Sequence, residues 1–283
     1  MTVRTAFAAG AGVAMLAACG ARGSSTVAVW PRIDAAAAPR AVSASTVAPA
    51  GSASTRTGAL AGIVIALDPG HDGGNGSNPT FINHQVPNGI GGTKACDTTG
   101  TQTAGGYPEH AFTFDVVKRA AALMRARGAT VVLTRTTDAG VGPCVDQRAK
   151  IGNRAHAAVA FSVHADGGPV SGRGFHVIEP AYHPGSVVDA VLKPSDRLAR
   201  DLISAVVTDT GSRRSTYVGG GTGLVARTDL GGLMLSRVPK VFIEAANMQN
   251  PSDAALCRSP AFRQRLAQAL TDAAIRFVHH PAR

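Results

Sequence analysis

Short, continuous apolar runs alternate along this chain with segments of helical period, and that alternation leaves few folds open. Gly62-Ile-Val-Ile-Ala-Leu67 is one such run, closed by the turn sequence Asp68-Pro69-Gly70. Thr130–Thr134, Ala158–Val163, Gly174–Ile178, Leu224–Ala226 and Lys240–Glu244 are the others. Runs of this kind, bounded by Gly, Pro or charge, read as strands buried on both faces. Between them, Phe112, Val116, Ala120 and Leu123 fall on one side of a helix predicted from about Pro108 to Arg127, with Gly128 as its stop. Further helices are predicted over Asp146–Ala155, Ser195–Thr210 and Ser259–Val278. The pattern predicts a single α/β domain over residues 61–280. Its sheet is mostly parallel, twisted and about six-stranded, with helices on both faces. Residues 72–107 break the rhythm: they form a long insertion rich in Gly, Asn and Thr, and long loops in compact domains are usually functional or disordered.

The amino terminus bears on the compartment. Arg4 precedes an apolar run, Ala6 to Ala18, that is too short to span a bilayer and reads as an export signal. The run ends Leu16-Ala17-Ala18-Cys19, which resembles a bacterial lipobox and makes Cys19 a lipidation candidate after cleavage of a signal peptide over residues 1–19. An ordinary secretory signal with a coincidental cysteine is the alternative. Residues 20–60 are dominated by Ala, Ser, Thr, Pro and Gly and read as a flexible tether. The expected product is exported to the cell envelope or periplasm, with a membrane reached only through a lipid on Cys19. The net charge of +10 suits anionic surroundings, and export removes nucleic acid from the candidate partners. The lone tryptophan, Trp30, lies in the tether, which argues against a sugar-stacking lectin surface in the folded part.

Four cysteines without a Cys-x-x-Cys pair exclude a thiolate zinc finger. Cys96 lies in the insertion and Cys144 in the loop after the second strand. In an oxidising compartment they are the favoured pair, with about 4 kcal/mol of chain-entropy stabilisation for such a loop. Two free thiols, or pairing with Cys257, remain open alternatives at this stage.

Ligands of open α/β sheets bind beyond the carboxyl ends of strands. There this sequence places His71, His164 and Glu244, with Glu109 opening the helix after the insertion. Two histidines and one carboxylate with an open position form a known catalytic zinc set, and a second carboxylate is then left for proton transfer. Each residue also has a plainer explanation: a turn histidine, a satisfied rim histidine, or a first-turn acid favoured by the helix dipole. Glu244 resists that treatment, because it ends the apolar run Val241-Phe-Ile, where an unpaired carboxylate is costly.

The segments Asp68-Pro-Gly-His71, Glu109 at a helix start, Thr134-Arg135 with Asp138, and Arg148 and Asn153 occur in a telling order. Ser162-Val-His164-Ala-Asp166, Gly174-Phe-His-Val, Pro239-Lys-Val-Phe-Ile-Glu244 and Asn250-Pro-Ser-Asp253 complete it. Across about Ile63 to Phe277 the chain resembles the zinc-dependent N-acetylmuramoyl-L-alanine amidases of bacterial cell separation. The resemblance implies one Zn2+ per chain held by His71, Glu109 and His164, with Glu244 as catalytic acid–base. It implies peptidoglycan or muropeptide fragments as substrate, in wall remodelling, cell separation or recycling, by a monomer. Arg135, Asp138, Arg148 and Asn153 are read as structural hydrogen-bonding groups. His84, His110, His156, His176, His183, His279 and His280 are given no role. The segment between His71 and Glu109 is longer than the family's glycine loop and is expected to cover or line the site. A zinc peptidase or deacetylase acting on wall fragments, or a non-catalytic wall-binding protein on the same fold, are the alternatives.

Overall fold

The computed structural model describes residues 58–280. The signal segment 1–19, Cys19 and nearly all of the tether expected over residues 20–60 lie outside the described residues. Leu60, placed at the end of that tether from sequence, is fully buried in the main core, and its N–H donates to Arg127 O. Packed structure therefore already includes residues assigned to the linker.

The elements run β1 (Val64–Pro69), α1 (Pro79–Asn83), β2 (Gln85–Pro87), β3 (Thr93–Ala95), α2 (Glu109–Ala126) and β4 (Thr130–Leu133). They continue with α3 (Val145–Arg154), β5 (Val159–Asp166), β6 (His176–Pro180), α4 (Leu192–Thr210) and β7 (Leu224–Arg227). The last are α5 (Gly231–Met234), β8 (Lys240–Asn247), α6 (Pro251–Arg258) and α7 (Pro260–His279). Six strands form one sheet in the order β4-β1-β5-β8-β6-β7. All neighbours are parallel except β6, which runs antiparallel to β8.

Side chains alternate across a strand, so each strand divides its residues between the two faces of the sheet. Ile65 and Leu67 of β1, Phe161 and Val163 of β5, and Val241 and Ile243 of β8 enter one large core with α2, α4 and α7. The stripe Phe262, Leu266, Leu270, Ala273 and Phe277 repeats at helical spacing and carries α7 onto that core. The alternate residues of the same strands are Asp68, Ser162, His164, Lys240, Phe242 and Glu244. They share the opposite face, which α3 and α5 cover only in part. One face of the sheet thus makes the core and the other carries the polar chemistry.

The strand bounds differ from expectation at β1. Asp68 and Pro69, read as a turn, continue the strand because they pair in register with Ser162 and Val163 of β5. The insertion 72–107 is ordered into α1, a β2–β3 hairpin and connecting turns. Helix α6 escaped the apolar pattern, although Asn250 caps it by accepting from Ser252 N and Asp253 N, with Pro251 opening the helix. Among the described residues no helix is long and apolar enough to cross a membrane.

Cys96 and Cys144 are disulfide-bonded, with Cα atoms 4.4 Å apart. Cys257 is a free thiol inside the main core. Burial first, and then the nearby Asp253 carboxylate, push its pKa up to about 12. The thiolate is the nucleophile, so native Cys257 should resist iodoacetamide at pH 8 and label only after denaturation. Peptide mapping checks this; native labelling at the denatured rate would contradict the packing described.

Candidate metal centre

At the end of β1 the chain turns through Gly70 into His71, whose φ is 58°, a left-handed conformation unusual for a residue with a side chain. Gly70 permits this close turn, because a Cβ there would sit 2.2 Å from Cε1 of the His164 ring. Gly100, in the insertion, plays the same part from above: a Cβ would lie 2.8 Å from both Glu109 Oε2 and His71 Cδ2. Glu109 is the first residue of α2, held there by Glu109 N donating to Thr101 O at 2.9 Å. His164 comes from β5, and Glu244 of β8 stands directly beside it in register.

These elements bring the sequence-selected residues together. His71 Nε2 is 3.2 Å from Glu109 Oε2, and His164 Nδ1 is 2.9 Å from Glu109 Oε1. The three ligand atoms lie within 4.8 Å of one another. The two imidazoles meet edge to face at 5.0 Å, and His164 stacks on Phe242 at 5.1 Å. Backbone N–H groups of Thr101 and Ala165 donate to the two Glu109 oxygens, at 2.9 and 3.2 Å.

The outer nitrogens show what the inner ones are for. His71 Nδ1 faces the carbonyl of Thr98 at 3.1 Å, an acceptor only, so this nitrogen carries a proton and Nε2 is the nitrogen turned toward Glu109. The Ser162 hydroxyl donates to Asp68 Oδ2 at 2.9 Å and therefore accepts from His164 Nε2–H at 3.3 Å. His164 Nδ1 is then the nitrogen turned toward Glu109, 2.9 Å from its Oε1. Fixing the tautomer through the far nitrogen is how metal-ligating histidines are oriented. Two imidazole nitrogens and a carboxylate also fit zinc with one position open. The second cluster within ligand reach, His84 with Cys96 and Cys144, is consumed by the disulfide.

Electrostatics agree with a cation at this point. Burial works to lower the pKa of His71, but the Glu109 and Asp97 carboxylates outweigh it and push it up to about 10. Glu244 behaves oppositely: burial, then the Glu109 and Asp166 carboxylates, raise its pKa well above the usual carboxylate range. Its Oε2 is buried with no hydrogen-bond partner. Thr98, Gly100, Thr101, Asp166, Leu230 and Phe242 complete an open cleft of about 260 Å³ around these groups. The insertion thus lines the site.

Beneath these three side chains lies a buried ion cluster. Asp68 Oδ1 accepts from Thr134 Oγ1 at 2.7 Å and Arg148 Nη1 at 2.8 Å; Oδ2 accepts from Ser162 Oγ and from Lys240 Nζ, each at 2.9 Å. Burial opposes ionisation, yet Lys240 and Arg148 hold the Asp68 carboxyl well below its usual range. Arg148 Nη2 also donates to Asp97 Oδ2 at 3.0 Å, and Asp97 Oδ1 is 3.3 Å from His71 Nδ1. Arg135 holds the Gly70 turn by donating to Pro69 O, Gly70 O and Asp138 Oδ1. Asn153 fastens α3 to Leu235 O and Arg237 N. Asp68, Asp97, Ser162 and Lys240 were not selected from sequence. Asp68 and Lys240 carried a signal, being charged residues at the ends of buried apolar runs; Asp97 carried none.

Another group missed from sequence flanks Glu244. His176 stands opposite it in register on β6, buried, with Nδ1 unpartnered and its pKa lowered by burial. Tyr217 stands edge-on to His176 and donates to Asp166 Oδ2 at 2.8 Å.

A domain of this topology, with these polar residues beyond its strand ends, belongs with the cell-wall hydrolases. The family model described as N-acetylmuramoyl-L-alanine amidase matches residues 65–276, and the chain belongs to that family. It is 42% identical to N-acetylmuramoyl-L-alanine amidase Rv3717 of Mycobacterium tuberculosis over 219 residues, covering 77% of this chain and 88% of the relative. Among solved structures it is similar to the N-acetylmuramyl-L-alanine amidase Ami1 of Mycobacterium smegmatis, at 41% identity and a TM-score of 0.72, covering 77% of this chain and 98% of that one. The apo form of Ami1 from Mycobacterium abscessus gives the same identity and TM-score, with 77% and 100% covered.

Replacing Asp68 leaves Arg148 and Lys240 buried without their common anion. Asp68→Asn should therefore cost about 3–5 kcal/mol of stability, read by urea denaturation. A loss below about 1 kcal/mol would show that the cluster is not a shared support.

Proposed function

We propose that this domain is a zinc hydrolase that cleaves the amide between the lactyl carboxyl of N-acetylmuramic acid and the L-alanine of the peptidoglycan stem peptide. Its family membership supports the substrate class. The observation that carries the mechanism is Glu244: a carboxyl with a raised pKa whose Oε2 is buried without a partner, beside His164 and lining the same cleft as His71 and Glu109. His71 through Nε2, His164 through Nδ1 and Glu109 would hold one Zn2+. A zinc ion held there would supply Lewis acidity, lowering the pKa of a water toward roughly 7 and polarising an amide carbonyl.

The chain's own groups do the rest. Glu244 takes a proton from the attacking water and returns it to the alanine nitrogen, which leaves poorly as an unprotonated amide anion. A pKa raised by burial suits both halves of that transfer. Phe242 holds the His164 ring by stacking, and Leu230 and Phe242 limit water on one wall of the cleft. Thr101 and Ala165 N–H groups keep Glu109 in position.

The proposal extends to the cell context. The protein acts outside the cytoplasmic membrane as a monomer, exported by the segment 1–19. Cys19 is the lipidation candidate, the segment after it a tether, and the catalytic domain begins by Leu60, which is already packed in the core, and runs to residue 280. A lipid at Cys19 would hold the enzyme at a membrane face, with the tether setting its reach.

Mass spectrometry of muropeptides treated with the zinc-loaded protein tests the reaction. The expected products are free stem peptide beginning at L-alanine and an intact N-acetylated sugar; trimmed peptides or a deacetylated sugar would replace the amidase reading with a peptidase or deacetylase. Glu244→Gln should keep zinc and lose about 10²–10⁴-fold in kcat. Full hydrolysis by a zinc-loaded Glu244→Gln protein would contradict the acid–base role.

A further inference from the structure

We propose that Asp97 is a positioning residue for the metal site, and that the Cys96–Cys144 disulfide holds it in place, so that metal affinity depends on the oxidation state of that bond. The inference rests on the zinc reading above.

Asp97 reaches His71 from the insertion. Its Oδ1 lies 3.3 Å from His71 Nδ1 and accepts from Thr98 N at 2.7 Å. Its Oδ2 accepts from Arg148 Nη2 at 3.0 Å, and the residue is buried. A carboxylate behind the outer nitrogen of a ligating histidine fixes the ring and raises its basicity. His71 needs such support, because it sits at a positive φ where the backbone alone does not favour it.

The disulfide joins the two sides of this contact. Cys96 is the residue immediately before Asp97. Cys144 is the N-cap of α3, the helix that carries Arg148. The crosslink therefore ties the backbone bearing Asp97 to the helix bearing its partner. Val145 N donating to Cys96 O at 2.8 Å runs beside it, so loss of the disulfide loosens the junction without dissolving it. Both cysteines are buried with Val86, which keeps the bond out of solvent in the folded state.

Zinc dissociation constants, measured by chelator competition on the full chain, test this, with the melting temperature of the zinc-free protein recorded in parallel. Asp97→Asn should weaken zinc binding by about 10- to 100-fold. The Cys96→Ala/Cys144→Ala protein should weaken it by a smaller factor. Added to Asp97→Asn, the cysteine changes should weaken binding by less than about 2-fold more, because coupled residues are not additive. A purely structural role predicts a lower melting temperature with an unchanged zinc constant, and that result overturns the proposal. Equal zinc binding by Asp97→Asn and wild type overturns it too, as does full multiplication of the two effects. If Asp97→Asn does not fold, the Cys96→Ala/Cys144→Ala protein decides: unchanged zinc affinity refutes the clamp. Failure of wild type to bind zinc would refute the metal reading itself, whereas wild-type binding with unaffected variants refutes only this inference.

Discussion

The Asp68 carboxylate is the group on which the active face of the sheet depends. It is buried on a strand whose alternate residues form the core, and it receives hydrogen bonds from Thr134, Arg148, Ser162 and Lys240. A lone anion there would be untenable, and so would Lys240 without it, while Arg148 would keep only Asp97. Together they form a closed set of charges that ties β1, α3, β5 and β8 at one depth. Both His71 and His164 hang from that set. Ser162 passes the Asp68 anion to His164, and Arg148 passes it through Asp97 to His71. Such a cluster contributes little net stability compared with an apolar core of the same volume. What it provides is orientation.

The division of labour between the faces follows from the strand period. Phe161 and Val163 enter the helix-covered core, and Ser162 and His164 therefore point the other way. The same holds for Val241 and Ile243 against Lys240, Phe242 and Glu244. A one-residue slip of β5 or β8 would exchange the two faces, so burial of the apolar residues also fixes the register of His164 and Glu244. The rigid side of the protein thereby positions the reactive side.

Much of this was legible in the sequence. The six strands and the long helices followed from apolar runs and helical spacing, since neither pattern depends on distant partners. His71, His164 and Glu244 were visible because strand ends are where α/β sheets place ligands. The supports were not. Asp97 lies in a Gly- and Thr-rich segment with no periodicity, and its role exists only because a hairpin and a disulfide bring it against His71. His176 lies at the start of β6 and reads as an ordinary strand residue until antiparallel pairing sets it beside Glu244. The β2–β3 hairpin itself is too short to be read from alternation. Contacts made across long sequence separations are the part that local pattern cannot carry.

The ligating atoms are the sharpest point of the account, because the two histidines are assigned different nitrogens from the hydrogen bonds behind them. Anomalous diffraction at the zinc edge, on crystals grown with zinc, measures this directly. The account predicts one zinc at this cleft bonded to His71 Nε2, His164 Nδ1 and a Glu109 oxygen, with Glu244 beside it and not bonded. A zinc bound through the opposite nitrogens, or held by Glu244 in place of Glu109, would contradict it.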